Sequence, residues 1–401
     1  MIKRLKCLIC YVLMFSLYAG MVSCENFLGD ETDLDFIEVP EQTFREVSYV
    51  PVQPIWDQFV SPSDIIAGFD ELIYVVDEAA ETVIVFDESG KELGRKFIQG
   101  AKAIAQDRSL NLLVIGTITD TSNNSNVDRS CIYRLDLNGT MGYGLQFAKV
   151  VNTIVHPFYF KTTAISKDSE VKFNRITVLD DNSFYVSRSG PNNSTTQSGG
   201  PDDAILEFNK EDRFVTPIIV NDNRGARFLD FFKQPFAITS LVKPPQISAD
   251  GRGDFIFTSL DPNGVLKVQY IQKIESVDGN AFVTKTDWNN DPSLADRFIN
   301  EPFRFGEAVG LEFTGDGTNY IFVVDRLKDS LYQFTANGLE GVQPPPASGE
   351  TKFVRTSFGG SGQGPMQFDR PMAVAYKDRI VYVADAGNGR ILRFKLTLDI
   401  R

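Results

Sequence analysis

The sequence predicts an all-β chain of repeated four-stranded antiparallel units, on three observations. Residues 358–394 read strand, turn, strand, turn, strand. Units of the same design recur upstream, dividing the chain into six. The last unit lacks an outer strand, which residues 43–52 are patterned to supply. The first observation is the sharpest. A glycine-rich lead-in (Gly359, Gly360, Gly362, Gly364) reaches Phe368 and Pro371. A strand over residues 372–376 turns at Lys377-Asp378 into an apolar run, 380–384, that ends on Asp385. Ala386-Gly387-Asn388-Gly389 then leads into the alternating Arg390-Ile391-Leu392-Arg393-Phe394. Gly, Asn and Asp supply the backbone angles of such tight turns, so the stretch is a β-meander.

Gly362, Gly364, Gln367-Phe368, Pro371, Val374-Ala375, Tyr382-Val383-Ala384-Asp385, Gly387-Asn388 and Arg390-Ile391 together resemble the NHL repeat. The resemblance covers about 35 residues and is much weaker elsewhere. It implies a six-bladed β-propeller of four-stranded antiparallel blades. Function varies widely on that fold, so the resemblance predicts architecture more than chemistry.

With that unit as template, the blades follow in order. Blade one takes residues 72–77 and 82–86 and turns at Asp87-Glu88-Ser89-Gly90; blade two takes 101–106, 112–117 and 131–135 and turns at Asn138-Gly139. Blade three takes 175–179, 183–187 and 204–208, and blade four 246–249, 254–259 and 267–274. Blade five takes 309–313, 320–325 and 330–334 and turns at Asn337-Gly338; blade six is the opening stretch. A strand from 43–52 completes blade six, closing the ring and removing an exposed sheet edge.

The first residues are an address. Lys3, Arg4 and Lys6 make a basic start, residues 7–17 an apolar core, and Met21-Val22-Ser23-Cys24 resembles a bacterial lipobox. Residues 1–23 are therefore expected to be a lipoprotein signal peptide, with Cys24 the lipidated residue. Residues 24–42 form an acidic tether (Glu25, Asp30, Glu31, Asp33, Asp35) and 43–401 the propeller. An acidic stretch after the cysteine resembles the export signal of lipoproteins displayed on the outer face of Gram-negative cells. The expected setting is the outer membrane, surface-exposed, with the lipid as membrane anchor.

Cys7 and Cys10 leave with the signal, so Cys131 is the one thiol of the folded body and no disulfide forms within a mature monomer. It reads as a buried small apolar residue. Losing Lys3, Arg4 and Lys6 takes the net charge from −13 to −16. Such a charge opposes phosphate backbones, and no Lys/Arg cluster with interleaved aromatics relieves it, so nucleic acid is not an expected partner.

Residues 61–401 allow about 57 per blade, more than a minimal meander needs. The surplus falls in second-to-third-strand loops (119–130, 189–203) and blade-to-blade connections (147–172, 217–245, 286–307). Both classes open on one face; the opposite face is expected to stay short. Long loops on one face of a rigid scaffold are where binding usually resides. The connections carry rings and cations together, and the candidate ligand-binding residues are Trp288, Phe158, Tyr159, Arg224, Arg227, Phe231, Phe232 and Arg304. Aromatic faces with Arg forks suit a glycan, a peptide or an envelope-protein surface.

Catalytic signals are poor. His156 is the single histidine, which excludes a multi-histidine zinc site. No G-x-S-x-G elbow, P-loop or CxxC appears. Residues 250–254 and 315–319 lack the spacing of a calcium loop and read as turns. Asp77, Asp325 and Asp385 end the second strands of blades one, five and six; Asx chemistry assigns them to backbone amides of the adjoining turns. No cofactor and no metal are expected. The sequence thus reads as a lipid-anchored, monomeric surface module that binds a ligand on its loop-rich face. The alternative from another class is a metal-dependent hydrolase or lyase of the sugar-lactonase type.

Overall fold

The computed structural model describes residues 46–400 apart from 122–125, 156–167, 197–200, 223–224, 243–252, 278 and 347. The chain divides into two compact units, Met1–Phe44 and Arg45–Arg401; the first lies outside the described residues. The expected signal peptide, Cys24 and the tether fall there.

The second unit is built of six antiparallel sheets. From inner to outer strand, blade one is Pro62–Ala67, Ile73–Asp77, Thr82–Phe86 and Glu92–Phe97. Blade two is Ala103–Gln106, Leu112–Asp120, Val127–Asp136 and Lys149–Val155. Blade three is Lys172–Val178, Phe184–Ser189, Ala204–Phe208 and Phe214–Pro217; blade four is Pro235–Ser240, Phe255–Ser259, Val268–Ser276 and Gly279–Thr284. Blade five is Ala308–Phe313, Ile321–Asp325, Ser330–Phe334 and Phe358–Gly359. Blade six is Pro371–Lys377, Ile380–Asp385 and Arg390–Leu396, with Tyr49–Pro51 as its outer strand. Each inner strand contacts the next around a closed cycle, one to six and back to one. The fold is a six-bladed β-propeller.

Closure by the N-terminal segment is explicit. Tyr49, Val50 and Pro51 pair antiparallel with Leu396, Lys395 and Phe394. Trp56 then bridges to Ile391, stacks on Phe86 of blade one at 5.0 Å and lies beneath the Arg393 guanidinium at 4.9 Å. One chain end thus locks blade six to blade one. The turn Ala386–Asn388 needs its glycine: Gly389 has φ +63°, and a Cβ there would meet the Phe59 carbonyl oxygen at 2.7 Å.

Middle strands are buried on both faces, as Ile73–Asp77 and Ile321–Asp325 show, so they read as near-continuous apolar runs. Their side chains fill five clusters between neighbouring blades. Aromatic pairs cross the seams, such as Phe322 and Tyr376 stacked at 5.8 Å between blades five and six. Cys131 is fully buried, which pushes its thiol up to about 12.

Two expectations are corrected. The inner strand of blade four is Pro235–Ser240, upstream of the expected 246–249, which lies outside the described residues. Its sheet is also wider: Val220–Asn221 and Arg227–Phe228 extend it to six strands. The opposite face is not uniformly short either. Residues 335–357 of blade five and 137–148 of blade two both join third to outer strands there. Residues 335–357 fold against the connection between blades four and five, through Ile299 N–H to Gly338 O (2.9 Å) and Phe353 N–H to Leu294 O (2.7 Å).

Candidate functional site

Five of the six inner strands slip register just after they start. The pairing skips between Pro62 and Asp64, Phe173 and Arg175, Pro235 and Ile238, Ala308 and Gly310, and Pro371 and Ala373. A bulge re-aims the residues it contains. Here the repeated slip brings Ser63, Asn174, Phe236 and Met372 to the throat, where the axial channel opens on the face of the blade connections.

Arg175 gathers them. Its Nη1 donates to the Asn174 carbonyl (3.0 Å), and its Nη2 to those of Ser63 (2.8 Å) and Met372 (3.4 Å). The guanidinium stands 4.9 Å from the Phe236 ring centroid, and Asp64 lies behind it, 3.6 Å from Nε. Asp64 accepts the Ile104 N–H (2.9 Å), tying blade one to blade two. Below, the channel narrows to a cavity of about 30 Å³ lined by Asp64, Arg175, Glu312 and aliphatic side chains.

Two more cations stand at the throat. Lys102, just before the inner strand of blade two, carries its amine 5.8 Å from the same Phe236 ring. Arg326 of blade five pairs with Glu307 (2.6 Å) and reaches the Met372 sulfur at 3.8 Å. Beside Phe236 a hollow of about 410 Å³ opens between blades three and four, walled by Glu170, Asn174, Pro191, Asp203 and Gln234. Burial pushes the Asp203 carboxyl up, although it accepts the Gln234 (3.0 Å) and Gly190 (3.2 Å) N–H groups.

The residues singled out in the sequence are scattered relative to this throat. Phe158, Tyr159, Arg224 and also His156 lie outside the described residues. Phe232 is 2% exposed and packs on Phe257 at 5.0 Å, with Phe231 against it at 5.3 Å. Arg304 is buried against Glu340, with its guanidinium 5.0 Å over the Tyr332 ring. Arg227 is exposed at the far edge of the six-stranded sheet. Trp288 is half-buried between blades four and five, edge-on to Tyr270 at 5.9 Å, and a Cβ on Gly338 would touch it at 2.7 Å. The three aspartates bond the chain entering their own blade. Asp77 accepts Val60 (2.7 Å) and Ser61 (3.0 Å) N–H groups, Asp325 those of Gly306 (2.6 Å) and Glu307 (3.0 Å), and Asp385 that of Asp369 (2.7 Å).

Sequence reading missed Lys102, Asn174, Arg175, Phe236 and Arg326. The available signal was an ionic residue inside an inner strand: Asp64 in blade one and Arg175 in blade three.

A larger hollow of about 890 Å³ lies on the opposite face, over blades five, six and one. Its cations are already partnered: Lys377 with Glu88 and Asp378, Arg379 with Asp399 at 2.6 Å. A divalent cation in the channel, as in lactonase-type propellers, does not fit the residues present. Asp64 faces an arginine, and among the described residues no group of three or more His, Cys, Asp or Glu side chains is placed to hold a metal.

No family model matches the sequence, and no curated protein does. Solved structures match through the fold. The calcium-binding protein regucalcin from Agrobacterium tumefaciens superposes with TM-score 0.50 at 8% identity, over 86% of this chain and 94% of that one. An auxiliary nutrient binding protein from Bacteroides ovatus gives 0.47 at 10%, over 88% and 77%. Virginiamycin B lyase from Staphylococcus aureus gives 0.41 at 9%, over 88% and 99%. The neighbours include both binding proteins and lyases; at these identities the likeness speaks to the fold alone.

Proposed function

We propose that the chain is a binding module that holds a glycan, peptide or protein segment on the face of its blade connections. The observation carrying this reading is the hollow of about 410 Å³ beside Phe236, a volume within the range of small-molecule pockets. It combines an aromatic floor with polar walls, as recognition sites do, and it adjoins a throat whose arginines are engaged by carbonyls and carboxylates. In this reading Cys24 carries lipid, residues 24–42 are the tether, and the module stands as a monomer on the outer membrane.

Glycan and peptide arrays probed with protein lacking residues 1–24 test the binding role. Saturable binding is expected, and Pro191→Trp, which crowds the hollow from an exposed wall position, should abolish it without lowering the melting temperature. Binding untouched by that substitution would remove the hollow from consideration. Turnover of a lactone or glycosidic substrate, lost on chelation, would favour the hydrolase or lyase reading. Labelling with a fatty-acid analogue tests the anchor: Cys24→Ala should lose the label and the membrane association.

A further inference from the structure

Among the described residues, Lys102 is the throat cation, of the three named, whose charge is not engaged. Arg175 spends its fork on three carbonyls and faces Asp64, and Arg326 is held by Glu307. The Lys102 amine, by contrast, has neither a hydrogen-bond acceptor nor an ion-pair partner among the described residues. It stands 5.8 Å from the centroid of the Phe236 ring, which it shares with Arg175. Its backbone is fixed, since its carbonyl accepts the Ser63 hydroxyl at 2.8 Å and its N–H donates to the Ile115 carbonyl at 2.9 Å. An ammonium group offers three donors as a compact point charge, which suits a single anionic group approaching from solvent.

We propose that Lys102, backed by Arg175 beside the same Phe236 ring, is an anion-binding position at the channel throat that takes a carboxylate of the ligand. The assignment rests on the reading that this face binds a ligand, and it adds the ligand's chemical class. Phe236 joins the two parts of the site: its side chain lines the hollow, and both cations stand within 6 Å of its ring centroid. The amine lies outside the hollow's own lining, so a ligand seated against that ring would extend its carboxylate past the ring to reach it. Glu170 and Asp203, also in the hollow's wall, accept hydrogen bonds from hydroxyl or amide groups of the rest of the ligand.

The electrostatics agree with this geometry. Burial and the neighbouring Arg175 hold the Lys102 amine below its usual range, with Lys172 and Arg326 adding to the effect and Glu78 opposing it. The amine is thus a cation among cations, and a bound carboxylate would relieve that repulsion. In a chain that is acidic as a whole, at −13, the throat gathers three cations, of which Arg175 and Arg326 face Asp64 and Glu307.

Competitive acylation read by mass spectrometry at each lysine tests the proposal on the intact folded protein. Sodium glucuronate, N-acetylglycine, glucose and inorganic phosphate are the probes. The expected result is at least threefold slower acylation of Lys102 with glucuronate or N-acetylglycine, saturably, and no change with glucose. The exposed Lys210 should be unaffected. Which carboxylate protects distinguishes a uronate from a peptide-type source. Lys102→Met should weaken binding of the protecting carboxylate more than tenfold while the melting temperature holds. Protection by neither carboxylate, protection by phosphate alone, or equal binding by Lys102→Met would each overturn the assignment. A neutral array ligand bound equally by wild type and Lys102→Met would leave the binding role standing and reject the carboxylate. No array binding at all would reject both.

Discussion

Asp325 shows how much one buried carboxylate can hold. It accepts four backbone N–H groups, from Gly306, Glu307, Leu327 and Lys328, at 2.6–3.1 Å, and none of its surface is exposed. Asp325→Ala strands those donors where water cannot reach all of them. The expected cost is about 3 kcal/mol, or roughly 5 °C in melting temperature; a shift below 1 °C would refute the bracing role. Asp316 adds a pH-dependent tie between blades five and six. Burial raises its carboxyl, but the Thr318 hydroxyl and N–H and the Tyr376 and Thr314 hydroxyls outweigh this and hold it below the ordinary 3.8. A lowered carboxylate contributes stability that is complete above its unfolded value and is lost as pH falls through the folded one. The melting-temperature gap between wild type and Asp316→Asn should therefore be full near neutrality and shrink below pH 3.8. A gap constant from pH 7 to pH 3 would show that the charge is irrelevant. The aspartates were legible in the sequence because each ends an apolar run before a short turn. Lys102 and Arg175 were not. They come from adjacent blades and meet only in the fold, on a ring supplied by a third blade.

At the scale of elements, the second and third strands of the blades were legible and the outer strands were not. A central strand such as Val83–Phe86 within Thr82–Phe86 is buried throughout and reads as an apolar run. The outer strand Glu92–Phe97 alternates between half-buried and exposed positions, and Phe358–Gly359 is two residues long, so neither stands out. Blade four's inner strand escaped for a related reason. Pro235–Ser240 opens on proline and is buried at every position, so it shows no alternation to mark it. The closing strand was legible because its partner was visibly missing. Removing residues through 53 deletes its pairing with Leu396, Lys395 and Phe394 and the Tyr49 ring packed 5.7 Å from Phe358. The truncated protein should melt several degrees lower and aggregate through the freed edge of blade six. Light scattering and a thermal scan check this; an unchanged melting temperature would mean that Trp56 and its neighbours suffice for closure.

For the whole molecule, the question that matters is whether the ring is a metal-centred catalyst or a rigid stage for recognition, and the throat's charge pattern separates the two. Carboxylates gathered around a divalent cation repel one another once it leaves, so a metal-centred propeller loses stability on chelation and regains it when the ion returns. Here the channel's Asp64 already faces a fixed cation, Arg175, and accepts the Ile104 and Ile65 N–H groups at 2.9 and 3.1 Å. Its charge is compensated by the protein itself, and replacing Arg175, not removing an ion, is what would leave it buried and unpaired. EDTA should therefore leave the melting temperature unchanged within about 1 °C, whereas Arg175→Met should lower it by roughly 5 °C or more, since breaking a buried pair costs about 3–5 kcal/mol. Thermal scans with and without chelator, followed by calcium add-back, decide between the two. A fall on chelation that calcium reverses would place a cation in the ring and move the hydrolase or lyase reading ahead of the binding one.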